Sequence, residues 1–233
     1  MKGSLYLIPS AIGEGSPDWV IPGEVQKVIN SIRYYIVENE RTARRQLIKM
    51  GIQIPIDDLS ISILNKHTDR KMLHAYLKPV ETENIGLLSE AGVPAVADPG
   101  GEIVAIAHDK GIKVVPLVGP SSILLALMAS GMNGQNFVFH GYLPVKPHER
   151  IRKIRELEQV SSKLHQTQIF IEAPYRNNQM LDDLIKTCSG QTRICVACNI
   201  TQTDEFIRTL PAAMWKSRKP DLHKKPTIFL LQM

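Results

Sequence analysis

The stretch IGLLSEAGVPAVADPGGEIVAIAHDKGIKVVPLVGPSS, residues 85–122, decides the fold. It opens on a short apolar run, IGLL (85–88), and carries a second, KVVPL (113–117), with a helical segment at 102–109 between them. Strands that alternate with helices at this spacing belong to a mostly parallel sheet covered on both faces. Each run ends in a Gly/Pro-rich turn, SEAGVPAVADPGG at 89–101 and VGPSS at 118–122. In open α/β sheets, ligands collect beyond the carboxyl ends of the strands. Glycine lets a ligand approach the backbone closely. Ser121 and Ser122 open a helix whose first amide N–H groups have no internal partner and favour an anionic group. Two such turns at neighbouring strand ends predict a small-molecule site, against the plainer reading of turns that only close strands.

Outward from this stretch the pattern continues. Upstream, LYLIP (5–9), YYIV (34–37) and ISIL (61–64) read as strands, with helices at 23–32, 42–50 and 69–78. Gly51 and Gly111 stand where helix C-caps are expected. Downstream come an apolar helix, ILLALMAS, ended by Gly131, a strand at 137–140, a GYLP turn at 141–144 and a basic helix at 148–160. Strand 168–172, helix 178–187, strands 193–199 and 205–209, a short helix 211–215 and strand 227–231 follow. Consecutive strands without a helix between them imply antiparallel or mixed pairing. The expected architecture is α/β in two domains, 1–117 with a parallel sheet and 118–233 with a mixed one.

A chain of 233 residues with 43% hydrophobic and 22% charged residues is ordinary globular material. No run approaches the roughly 18 apolar residues that span a bilayer, and the N-terminal run lacks the form of a signal peptide. A cytoplasmic protein without membrane contact is expected. Cys195 and Cys198 form a CxxC, but in an apolar strand-like run and with no second pair, so structural thiols are favoured over redox or zinc use. The net charge of +5 includes basic clusters at 146–155 and 216–225, either an electrostatic footprint for nucleic acid or solvated surface. No GxGxxG, GxxxxGK[ST], GxSxG or metal-ligand spacing is present. Hydride, phosphoryl and acyl transfer therefore have no anchor in the sequence, and no metal is expected.

The run 88–132 followed by FVFHGYLP (137–144) resembles the S-adenosylmethionine-dependent methyltransferases of the tetrapyrrole-methylase fold. Within them it is most similar to the branch that 2′-O-methylates a cytidine of small-subunit ribosomal RNA. That branch carries SDAGTP…DPG, PLPGPSA and GFLP turns, here at 89–94, 98–100, 116–122 and 141–144. ENER (38–41) is similar to its EDTR, His67 to one of two histidines, and FIEAPYR (170–176) to FYEsxxR. The chain departs at 13–16, where GNLxD becomes GEGS, at Asn39, where the pattern has Asp, and at 197–202, where ARELTK becomes ACNITQ. The resemblance implies two domains with S-adenosylmethionine in the cleft between them, and a homodimer. It implies cofactor contacts at Gly92, Val93, Val96, Ala97, Ser121, Ser122, Ala197 and Pro226, with backbone near Glu172.

Methyl transfer from a sulfonium is an in-line displacement, so the protein mainly aligns the acceptor and excludes water. A ribose hydroxyl acceptor also needs a base. The candidates are Glu38, Glu40, His67 and Glu172, against readings as surface charge or a loop histidine. Arg41 is the candidate for gripping an oxyanion, since its planar fork bonds one bidentately. Three functions stay open. They are methylation of RNA or a ribosomal subunit, methylation of a small acidic tetrapyrrole-like substrate, and a non-catalytic RNA-associated protein.

Overall fold

The computed structural model describes residues 2–13, 17–65 and 67–233. Glu14, Gly15 and Ser16, in the segment that departs from GNLxD, lie outside them. The chain forms two compact units, Met1–Ser121 and Ser122–Met233.

The first unit runs β1 (Ser4–Ile8), α1 (Gly23–Ile29), β2 (Tyr34–Val37), α2 (Glu40–Lys49), β3 (Ser60–Ile63), α3 (Arg70–Tyr76), β4 (Ile85–Leu88), α4 (Gly100–Asp109) and β5 (Lys113–Pro116). Its sheet has the order β3-β2-β4-β1-β5 with every pair parallel. Side chains alternate between faces along a strand. Tyr35, Val37 and Leu88 therefore meet Val25, Ile29, Ala43 and Leu47 of α1 and α2 on one face. Ile36, Ile85 and Leu87 meet Leu73, Ile103 and Ala107 of α3 and α4 on the other. Burial on both faces is why these strands read as continuous apolar runs. The strand order corrects one expectation. The two Gly/Pro turns follow β4 and β5, which are not neighbours, because β1 lies between them.

Helix α2 starts two residues before the expected Thr42. Asn39 caps it, its side-chain oxygen accepting the Thr42 backbone N–H at 3.1 Å. Asn39 thus keeps the capping capacity that an Asp would have.

The second unit runs α5 (Ser122–Ser130), β6 (Phe137–Tyr142), α6 (Pro147–Leu164), β7 (Thr167–Ile171), α7 (Asn177–Thr187), β8 (Arg193–Cys198), β9 (Phe206–Pro211), α8 (Ala212–Trp215) and β10 (Thr227–Gln232). The order is β6-β7-β10-β8-β9, with β6 and β7 parallel and the other pairs antiparallel. Helices α6, α7 and α8 cover one face through Ile154, Leu157, Leu181, Leu184 and Trp215, and α5 covers the other through Ala126 and Leu127. The expected GYLP turn begins later than read. Gly141 and Tyr142 extend β6 past an irregularity in register, and Gly141 takes a φ of 66°.

The CxxC resolves on the same alternation. Cys195 and Cys198 are three residues apart on β8, so they face opposite sides of the sheet, Cys195 toward α5 and Cys198 toward α7. Both are buried, as is Cys188, and burial raises all three thiol pKa values, that of Cys188 to about 12. Among the described residues no group of three His, Cys, Asp or Glu side chains could hold a metal ion. No helix among them is long and apolar enough to cross a membrane.

Candidate functional site

Beyond Leu88 the chain turns back on the loop that leaves β1. Ser10 and Gly92 form an isolated antiparallel bridge, Ser10 N–H to Gly92 O at 2.8 Å and Gly92 N–H to Ser10 O at 3.1 Å. The buried Ser10 hydroxyl lies 2.8 Å from both the Ser89 carbonyl and Gln46 Oε1, and the Ser89 hydroxyl donates to Gly92 O at 2.9 Å. Gln46, on α2, also donates its amide to the Glu90 carbonyl.

Two glycines let these loops interlock. Gly92 has a φ of 73°, and a Cβ there would stand 3.1 Å from the Pro120 carbonyl. A Cβ on Gly119 would stand 2.0 Å from Cβ of Pro9. The loop after β1 is thus locked between the turns after β4 and β5, which sheet order alone kept apart.

Asp98 shapes the rest of the first turn. Its Oδ1 accepts the N–H groups of Ala95 at 2.9 Å and Gly100 at 2.8 Å, so it closes the turn and satisfies the first N–H of α4. Within that loop Ala95 and Ala97 hold φ values of 65° and 63°, a conformation that costs an L-residue roughly 1 kcal/mol each. The turn leaves Val96 and Ala97 exposed and Val93 half-buried. Ser121 and Ser122 are half-buried, Ser122 at the start of α5.

Carboxylates surround this loop. Glu38, just past β2, has its pKa raised by burial first and then by the Asp98 charge, opposed by a hydrogen bond from the Glu90 backbone. Burial also raises Asp98, opposed by its two N–H bonds. Arg41 is exposed in the first turn of α2. Its neighbour Arg44 pairs with Glu40 at 2.8 Å and Asp57 at 3.1 Å. His67 is exposed, its backbone N–H on Asn65 Oδ1 at 2.9 Å. The structure therefore groups Glu38 with the Ser89–Gly101 turn and gives His67 no role in that network.

In the second unit Glu172 follows β7 and is 4% exposed. Its Oε1 accepts Arg176 Nη2 and the Ala173 N–H, each at 2.6 Å. Arg176 has its pKa raised, chiefly by that bond. Among the described residues Glu172 Oε2, Arg176 Nε and Asn177 Oδ1 are buried without a protein partner. Ala197 is fully enclosed, its strand flanked by β10 and β9 and its side chain in the core, so it offers a ligand no surface. Pro226 is exposed, its carbonyl accepting the Asn199 N–H at 3.0 Å. Sequence reasoning did not single out Ser10, Gln46, Asp98 or Arg176. The available signals were an Asp two residues before a helix start and an Arg one turn beyond a buried Glu.

The residues around the first turn fit S-adenosylmethionine by their chemistry. Val93 and Val96 offer partly exposed apolar surface to an adenosine, and the Glu38 and Asp98 carboxyl groups lie beside the same turn.

Comparison with known proteins agrees. The family model Tetrapyrrole (Corrin/Porphyrin) Methylases matches residues 35–214. "Ribosomal RNA small subunit methyltransferase I" of Vibrio cholerae is 31% identical over 210 residues, 90% of this chain and 69% of that protein. The protein of the same name from Halalkalibacterium halodurans is 31% identical over 220 residues, 94% of this chain and 72% of that one. Among solved structures, the methyltransferase CobJ superposes with a TM-score of 0.64 at 16% identity, covering 99% of this chain and 94% of that one. A cobalt precorrin-4 methyltransferase of cobalamin biosynthesis gives 0.61 at 16%, covering 98% and 94%. The structural likenesses carry the fold, and the sequence matches carry the family. The chain belongs to the tetrapyrrole (corrin/porphyrin) methylases and is an S-adenosylmethionine-dependent methyltransferase.

Proposed function

We propose that this methyltransferase acts on small-subunit ribosomal RNA, at the ribose 2′-hydroxyl of a cytidine, in the cytoplasm. The observation that carries the reading is 31% identity, over nine-tenths of the chain, to a protein named for that RNA. The ENER, FIEAPYR and GYLP segments, similar to that branch, support it.

S-adenosylmethionine, when bound, supplies a methyl group on a positively charged sulfur. The chain's own tasks are then positional. In the first unit the exposed Val96 and Ala97 and the half-buried Val93 line the cofactor, above the buried Gly92 and with Ser121 as a further contact. For a ribose hydroxyl acceptor the chain must align the oxygen, exclude water and take up the hydroxyl proton. Glu38 suits that task, because its raised pKa brings it closer to neutrality. Glu172 is held by Arg176 and serves to fix that guanidinium. Arg41, exposed on α2, is the residue that grips a phosphate in this reading.

The partner is a second copy of the chain. Leu124 and Met128 lie one turn apart on α5 and are 51% and 77% exposed, apolar surface of the kind that self-association buries.

The test is transfer of a tritiated methyl group from S-adenosylmethionine into small ribosomal subunits and naked ribosomal RNA, alongside a precorrin-type acceptor. Label in ribose of RNA supports the reading, and label only in the tetrapyrrole overturns it. Calorimetry with S-adenosylmethionine checks the cofactor directly, and an absence of binding would remove the enzyme itself.

A further inference from the structure

Beyond Glu172, the end of β7 carries exposed rings to which the proposed mechanism gives no task. Tyr175 is 63% exposed and Tyr142 is 64% exposed. Tyr142 ends β6 in register with Ile171, the last residue of β7, and Tyr175 lies in the 3-10 turn that follows that strand. The Arg176 guanidinium lies 4.9 Å from the centroid of the Tyr175 ring and donates to its hydroxyl at 2.6 Å. Nη2 of the same guanidinium is held by the buried Glu172. A buried carboxylate thus pins a guanidinium, which in turn fixes an exposed ring.

The basic segment at 216–225 is tied to the same spot. Lys224 donates its backbone N–H to Pro174 O at 3.0 Å, and Asn177 Nδ2 bonds the Lys225 carbonyl at 2.7 Å. These bonds hold the exposed Lys224 and His223 beside the aromatic turn. Stability does not account for the arrangement. Two large rings face water, and Glu172, Arg176 and Asn177 each keep a buried polar atom unpaired among the described residues. A planar ligand over the open face of Tyr175 would recover the exposed apolar area, with the guanidinium already covering the other face.

We propose that Tyr175, fixed by Arg176 and Glu172, is a stacking platform for an unpaired base of single-stranded RNA, with Tyr142 beside it and Lys224 on the phosphate backbone. This rests on the RNA reading above and names a recognition element within it. Aromatic faces interleaved with cations suit a strand of repeating bases and phosphates.

The experiment is fluorescence anisotropy with a short, unstructured single-stranded RNA and its duplex, across a salt series. Tyr175→Ala weakens single-strand binding about 5- to 150-fold, while Tyr175→Phe keeps the affinity and duplex binding does not change. Lys224→Asn, which tolerates the left-handed backbone at this position (φ 57°), lowers the salt slope by about 0.7. Calorimetry with S-adenosylmethionine gives the wild-type affinity in every variant, which reports an intact fold. Unchanged single-strand affinity in Tyr175→Ala overturns the platform alone. A wild-type chain that binds neither form of RNA overturns the RNA reading and the platform with it. Uroporphyrin binding lost in Tyr175→Ala, with RNA binding intact, overturns the choice of ligand.

Discussion

Gly119→Ala tests whether the three loops around Ser10 form one interlocked structure. The new Cβ would stand 2.0 Å from Cβ and 2.5 Å from Cγ of Pro9. Carbon atoms in contact sit about 3.5–4.0 Å apart, so one loop must move by roughly 1.5 Å. The Pro9 ring is stiff, and Ser10 behind it is buried and bonded to Gly92, Ser89 and Gln46. Overpacking of this kind costs about 1–3 kcal/mol, and each strained Ser10 bond adds about 1 kcal/mol. A loss of about 2–4 kcal/mol is expected, together with loss of S-adenosylmethionine binding, because Pro120 and Gly92 would move with the loop. Gly101→Ala is the matched control. It lies in the first turn of α4 with nothing within 4 Å of its new Cβ, so it should stabilise by about 0.5–1 kcal/mol. Urea unfolding checks both. Trp215 is buried in the second unit and its fluorescence follows that unit, while far-UV circular dichroism follows the whole chain. Equal circular-dichroism midpoints for the two variants, with undiminished cofactor binding in Gly119→Ala, would refute the interlocking.

Asn39→Ala should cost about 1 kcal/mol in urea unfolding through loss of the α2 cap, and Asn39→Asp should cost nothing. Native protein at pH 8 should leave Cys188, Cys195 and Cys198 unreactive toward a thiol reagent, with all three reacting in denaturant; fast native reaction would contradict their burial. Glu38 has a raised pKa in the folded state, so the fold binds its proton more tightly than the unfolded chain does. Its ionisation therefore removes stability as pH rises through the range from about 4 upward. Glu38→Gln should flatten that fall and leave the variant more stable than wild type at pH 7, and a steeper fall would reverse the assignment.

The strands of the first unit were legible because a parallel sheet buried on both faces needs continuous apolar runs, and IGLL and YYIV supply them. Their order was not, since pairing β1 between β4 and β5 joins residues some 80 and 110 positions apart and leaves no local trace. The segments 89–101 and 118–122 were legible as turns from their glycines and prolines. The role of Asp98 inside the first was hidden, because it depends on a loop path that brings the Ala95 N–H back to its side chain. Glu172 read correctly as a strand-end carboxylate. That Arg176 engages it depends on the short 3-10 turn Pro174–Arg176, which places position i+4 over the strand end. The exposure of Arg41 and His67 depends on tertiary surroundings that a single sequence does not encode.

The departure at 197–202 has a local physical reading. Asn199 sits at a φ of 50° and Thr201 at 69°. Asn tolerates the left-handed region better than the Glu of the related pattern. Its side-chain amide bonds Asp204 at 2.8 Å, and its carbonyl accepts the Gln202 N–H at 2.9 Å. The Thr201 N–H is held by Glu205 at 2.8 Å. Cys198, where the pattern has Arg, points into a core in which an unpaired guanidinium would be costly. The segment has exchanged charged groups for turn-forming ones and an apolar thiol, and it offers RNA no cation. Under the proposed function, cationic contact on this unit passes to residues outside the segment. Lys224, exposed and tied through its backbone to Pro174, is in place to supply it.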